Sequence, residues 1–170
     1  MSEIQQRVVD NISISGASIG FRNFSGKASA YNALGRKNFC VFFDVDFGKK
    51  LEADGWNIRW TQIREEEDVS TPYLQVAVSF DNIPPKIVLI TSGGQTLLDS
   101  QTVNVLDWAE IRHIDLVIRP YNWKMASGKT GVKAYVRSMY ITIEEDEFAE
   151  KYSKLPTVSA PANISESFEE

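Results

Sequence analysis

Apolar and polar positions alternate most cleanly over residues 73–80, where Leu74, Val76, Val78 and Phe80 share one face of a predicted strand. Residues 39–45 instead form a nearly continuous apolar run, the pattern of a strand buried on both faces. Residues 12–24 alternate in part and are punctuated by Gly16 and Gly20, so they predict a strand that bends at one of those glycines. Further strands are predicted over 57–63, with Ile58 and Trp60 on one face, and over 86–91, 96–98, 114–119 and 132–143. Turn residues separate them, including Asp81 to Pro85, the Gly93-Gly94 pair and the 120–130 segment. Helical spacing is sparse. Residues 47–53 fit a short helix stopped at Asp54-Gly55, residues 100–111 place Val103, Leu106 and Ile111 on one side, and 144–152 allow one more short helix.

Seven or so strands with one or two short helices, and no regular βαβ alternation, predict a mainly β fold. The expected architecture is an OB-like antiparallel β-barrel with an inserted hairpin. From Ser153 onward the chain is rich in Ser, Pro, Ala and Glu with few apolar anchors, so residues 153–170 are expected to be a disordered acidic tail on a domain spanning 1–152.

Charge changes the picture more than composition does. The net charge of −5 argues against a polyanionic partner, but the charges are blocked along the chain. Residues 11–43 sum to +4 with no acid, and residues 112–143 sum to +5 with Asp115 as their one acid. Between them, residues 44–111 carry −7, and residues 144–170 carry −6. Two basic segments therefore flank an acidic middle and precede an acidic end.

Both basic segments also carry aromatic rings. Over 132–143, Lys133, Tyr135 and Arg137 fall on one strand face, and Arg119, Tyr121, Trp123 and Lys124 lead into it, with Lys129 in the intervening loop. The first segment offers Arg22 and Phe24 on one predicted face, then Lys27, Tyr31 and Arg36 in a small polar loop over 25–36, with Lys37 just after it. Rings between cations suit single-stranded nucleic acid, because bases stack on the rings while phosphates meet the charges. The same residue types also concentrate at protein interfaces, so a structural or protein-interaction module is the alternative. Stacking alone does not separate DNA from RNA.

These features resemble bacteriophage single-stranded DNA-binding proteins, in which an OB barrel with basic and aromatic strands precedes a disordered acidic tail. The stretches that carry the resemblance are 73–80, 85–91, 106–111, 118–123 and 131–140. The resemblance implies sequence-independent coating of ssDNA in replication or recombination, in the host cytoplasm. It further implies a tail that recruits replication proteins through Glu166, Phe168, Glu169 and Glu170. In this class the tail commonly finishes on an aromatic residue, whereas here Phe168 is followed by two glutamates.

Catalytic readings find little support. One His and one Cys complete neither a zinc set nor a Cys–His–acid triad. The Ser127-Gly128-Lys129-Thr130 run lacks the earlier glycine of a phosphate loop and leads into a strand, not a helix. Asp44 and Asp46 share a face but have no evident third ligand. No enzyme activity, cofactor, metal or membrane span is expected. The lone cysteine, Cys40, allows no intrachain disulfide.

Overall fold

The computed structural model describes residues 9–62, 65, 69–81 and 83–145. Its order is β1 (Ile12–Ser15), β2 (Ser18–Asn23), β3 (Lys37–Phe42), α1 (Val45–Asp54), β4 (Arg59–Trp60), β5 (Pro72–Val78), β6 (Lys86–Thr91), β7 (Gly94–Leu98), a 3-10 turn (Val103–Asp107), β8 (Ile111–Lys124) and β9 (Thr130–Ile143). The hydrogen-bonded path runs β1-β8-β9-β5-β3-β2. Its end strands do not pair with each other. They are successive halves of one strand that bends at Gly16, where the Gly16 and Ala17 amides both donate to Ile114 O. With β1 and β2 counted together, five strands follow one another in the order of an OB-type barrel.

The sheet is mixed, which corrects the all-antiparallel expectation. β9 runs antiparallel to β8 but parallel to β5 at Val76 and Ala77, and parallel to β6 over Lys86 to Ile90. Parallel neighbours need a long crossover. Here the chain leaves β5 through the β6–β7 hairpin and the 3-10 turn before returning along β8 and β9. Alternation in sequence reports which face is buried, not strand direction, so this pairing was invisible to it.

The core forms from the inward residues of these strands. Phe39 and Val41 of β3, Leu74 and Val76 of β5, Ile114, Leu116 and Ile118 of β8, and Val136, Met139 and Ile141 of β9 are almost fully buried. Each fully buried side chain of this size contributes roughly 1.5–3 kcal/mol of transfer free energy. Asp44 accepts a hydrogen bond from Phe47 N at 2.7 Å as the N-cap of α1, and Gly55 closes the helix in the left-handed region. That cap accounts for the first of the two aspartates considered as metal ligands.

The segment 100–111 is not a helix. Only Val103–Asp107 winds, as a 3-10 turn, and Ile111 already belongs to β8. Val103 and Leu106, three apart, face the core together, which suits the three-residue turn of a 3-10 helix. The predicted helix over 144–152 starts with Glu144 and Glu145 in non-helical backbone, and its remaining residues lie outside the described ones. The acidic tail, with Glu166, Phe168, Glu169 and Glu170, lies outside them as well. No described helix is long and apolar enough to cross a membrane.

Candidate nucleic-acid interface

Long strands β8 and β9 form a hairpin whose outward residues pair in register: Arg119 with Tyr135, Tyr121 with Lys133, and Trp123 with Gly131. The Arg119 guanidinium lies 4.7 Å from the Tyr135 ring centre and Lys133 Nζ lies 5.1 Å from it. Tyr121 meets the same ring edge-on at 6.2 Å. Cations over a ring are drawn to its negative face, so Tyr135 gathers both charges beside it. Arg119 Nε has no hydrogen-bond partner. Trp123 lies flat across Gly131, where any Cβ would overlap the indole.

The loop between β2 and β3 comes to the same side of the barrel. Its base is closed by the Gly35 amide donating to Gly26 O at 2.8 Å. The Asn32 side-chain amide donates to Lys27 O and Arg36 O, and its carbonyl accepts from Asn38 Nδ2. This internal bonding holds up a tip on which Tyr31 is 99% exposed.

Between loop and hairpin lies a groove of about 660 Å³. Tyr31, Arg36 and Lys37 line it from the first basic segment, and Trp123, Lys133 and Tyr135 from the second. Its floor is the outward face of the sheet. Asn38 of β3, Ala77 of β5 and Tyr135 of β9 form a row of registered neighbours along it, and Arg119 of β8 continues the row just outside the groove lining. The two positive segments, some hundred positions apart in the chain, thus converge on one surface, with Asp81 as a lining carboxylate. Lys37 Nζ also donates to Phe24 O at 3.0 Å, which ties that cation to the loop base.

Other candidate residues lie elsewhere. Phe24 is fully buried and stacks on Phe39 at 5.1 Å, so it belongs to the core and has no face for a base. The Arg22 guanidinium donates to Leu106 O and Ala109 O, binding the 3-10 turn to β2 instead of facing a phosphate. Both corrections have one cause: a bulge between Gly20 and Asn23 breaks the two-residue count along β2. Lys27 is exposed but sits 5.8 Å from the Trp108 ring, outside the groove lining. Lys124, Lys129 and Arg137 are exposed on or beside the hairpin without lining the groove.

The polar floor was missed in the sequence. Asn38, Gln75, Ala77 and Ser79 line the groove. The alternation of 73–80 already turned Gln75, Ala77 and Ser79 outward, but small neutral side chains carry no signal of their own. Cys40, the next outward position on β3, has its thiol pushed up by burial, partly opposed by the charge of Arg59. His113 is exposed and pairs with Asp115 at 2.9 Å, while Ser15 Oγ donates to the same carboxylate, so the three form no nucleophilic relay. These bonds hold the Asp115 carboxyl below its usual range, Ser15 first and His113 second.

The family model described as "Putative phage ssDNA-binding domain" matches residues 1–169. The chain belongs to this family. Its ligand class is therefore single-stranded DNA, in agreement with a groove that unites rings and cations. Among solved structures, the phage ssDNA-binding fold recurs in the single-stranded DNA-binding protein from bacteriophage Enc34. In complex with ssDNA, that protein superposes with a TM-score of 0.53 at 9% identity, covering 82% of this chain and 89% of that one. Another structure of the Enc34 protein gives 0.51 at 11% identity, covering 91% and 90%. Its C-terminal truncation gives 0.50 at 9% identity, covering 81% and 88%. At these identities the likeness is one of fold. No curated protein matches the chain in sequence.

Proposed function

We propose that this phage ssDNA-binding domain holds DNA in the groove between the β2–β3 loop and the β8–β9 hairpin, without sequence preference and without catalysing a reaction. Phosphates meet Arg36, Lys37, Lys133 and Arg119, and bases stack on Tyr31, Trp123 and the Arg119–Tyr135 pair. Lys124, Lys129 and Arg137 extend the positive field along the hairpin, and Tyr121 braces Tyr135. The observation that carries this reading is the convergence of both basic segments on one groove lined by an exposed Tyr31 and the half-buried Trp123 and Tyr135. Stacking on rings and contacts to phosphates read no base identity, which favours sequence-independent binding.

On this reading residues 1–152 bind DNA, coating single strands during replication or recombination in the host cytoplasm. Residues 153–170 form the acidic tail. Tethered close to a basic groove, such a tail acts at an effective concentration on the order of millimolar. It competes with weakly held nucleic acid, and Glu166, Phe168, Glu169 and Glu170 offer a contact to replication or recombination proteins.

A gel-shift series with ssDNA, dsDNA and ssRNA tests this directly. The full-length protein should shift ssDNA of mixed and homopolymeric sequence alike, and the Arg36→Ala, Lys133→Ala double variant should shift both less. Absence of any shift at low salt would overturn the proposal.

A further inference from the structure

Beyond the groove, the same outward sheet face carries a second group of rings. Four residues along β3 and β5 from the Asn38–Ala77 row, a distance of about 14 Å at strand rise, Phe42 pairs with Tyr73. Their ring centres are 5.9 Å apart, and Phe21 of β2 joins them at 6.0 Å from Phe42 and 6.5 Å from Tyr73. This cluster is not core. Phe21 is 73% exposed, and Phe42 and Tyr73 are half-buried.

Two local features hold it in place. Phe21 has a φ of +48°, within the left-handed region that bulky side chains rarely adopt, and it sits in the bulge of β2 that turns its ring outward. Gly20, next to it, lies under the Phe42 ring, and a Cβ there would come within 2.7 Å of that ring. A strained backbone kept to expose a phenyl ring to water, without burying it, is a cost that the fold alone does not explain. Arg59 is exposed and pairs with Tyr73 across the β4–β5 ladder, and its charge reaches the Cys40 thiol between the cluster and the groove floor.

We propose that Phe21, Phe42 and Tyr73, with Arg59 beside them, form a second base-stacking platform that prolongs the groove into a longer single-strand track. The proposal rests on the reading of the groove as the ssDNA site. Its ligand is unpaired bases, because bases in a duplex have their faces covered by the base pairs stacked above and below. One ring is worth about 1–3 kcal/mol per stacked base, or about 5- to 150-fold in affinity.

The test measures affinity of the full chain for oligo(dT) of about 4 and about 16 nucleotides, the range of site sizes for one OB fold, by fluorescence anisotropy. Phe21→Gly should weaken the longer oligonucleotide by about 5-fold or more while leaving the shorter one, held in the groove, unchanged. Its melting temperature should hold or rise, because glycine adopts this φ freely. Phe21→Tyr should bind as the parent chain does. Unchanged affinity of Phe21→Gly for the longer oligonucleotide, alongside a loss in Tyr135→Ala, would overturn the platform while leaving the groove intact. Equal loss for both lengths with a lowered melting temperature would mark a structural ring and overturn it too. Loss in Phe21→Gly with none in Tyr135→Ala would remove the groove reading and, with it, the continuous track proposed here.

Discussion

A ring that stacks bases needs an open face, and a ring in the core has none to offer. Tyr31 and Phe24 stand at these extremes, one 99% exposed on a loop tip and the other fully enclosed against Phe39. Tyr31→Ala should leave thermal stability unchanged and weaken ssDNA binding by about 1–3 kcal/mol, read by equilibrium titration. Phe24→Ala should instead cost about 3–5 kcal/mol of stability in denaturant unfolding. A stable Phe24→Ala protein with impaired binding would contradict this division. The exposure of Tyr31 was legible, because its neighbours are Ala, Asn and Gly and give a ring nothing to pack against. The burial of Phe24 was not. Counting by twos from Arg22 put both on one outward face, and the bulge between Gly20 and Asn23 spoils that count.

Elements place these residues through a few polar anchors. Asp107, at the end of the 3-10 turn, accepts from Phe24 N at 2.6 Å, Ser25 N at 3.1 Å and Ser25 Oγ at 2.6 Å, while Arg22 donates back to Leu106 O and Ala109 O. The turn and the root of the β2–β3 loop thus clamp each other. Hydrogen bonds to a charged group contribute about 1.5–3 kcal/mol, so Asp107→Ala should destabilise the protein by that order. It should also speed amide hydrogen exchange at Phe24 and Ser25. Exchange at those amides equal to the parent's would show that the clamp does not hold the loop. Strands 73–80, 86–91 and 132–143 and the first helix were legible from periodicity and from the Asp54-Gly55 stop. The 3-10 turn was not, since Val103 and Leu106 satisfy α and 3-10 spacing alike.

At the scale of the whole molecule, the informative property is where charge goes when the chain closes. The blocked distribution was plain in the sequence, with +4 over 11–43 and +5 over 112–143. Their meeting on one groove depends on β9 lying between β8 and β5, a parallel arrangement set by the long crossover, which no local pattern reports. The most direct measurement is tryptophan fluorescence during titration with oligo(dT) at several salt concentrations, comparing the full chain with Trp123→Phe. Of the four tryptophans, Trp123 lines the groove. Quenching at low salt should be largely lost in Trp123→Phe. If about four phosphates are neutralised, log K should fall with log salt at a slope near −3. Absence of quenching at low salt, or quenching indifferent to both salt and Trp123→Phe, would contradict a shared DNA track at this groove.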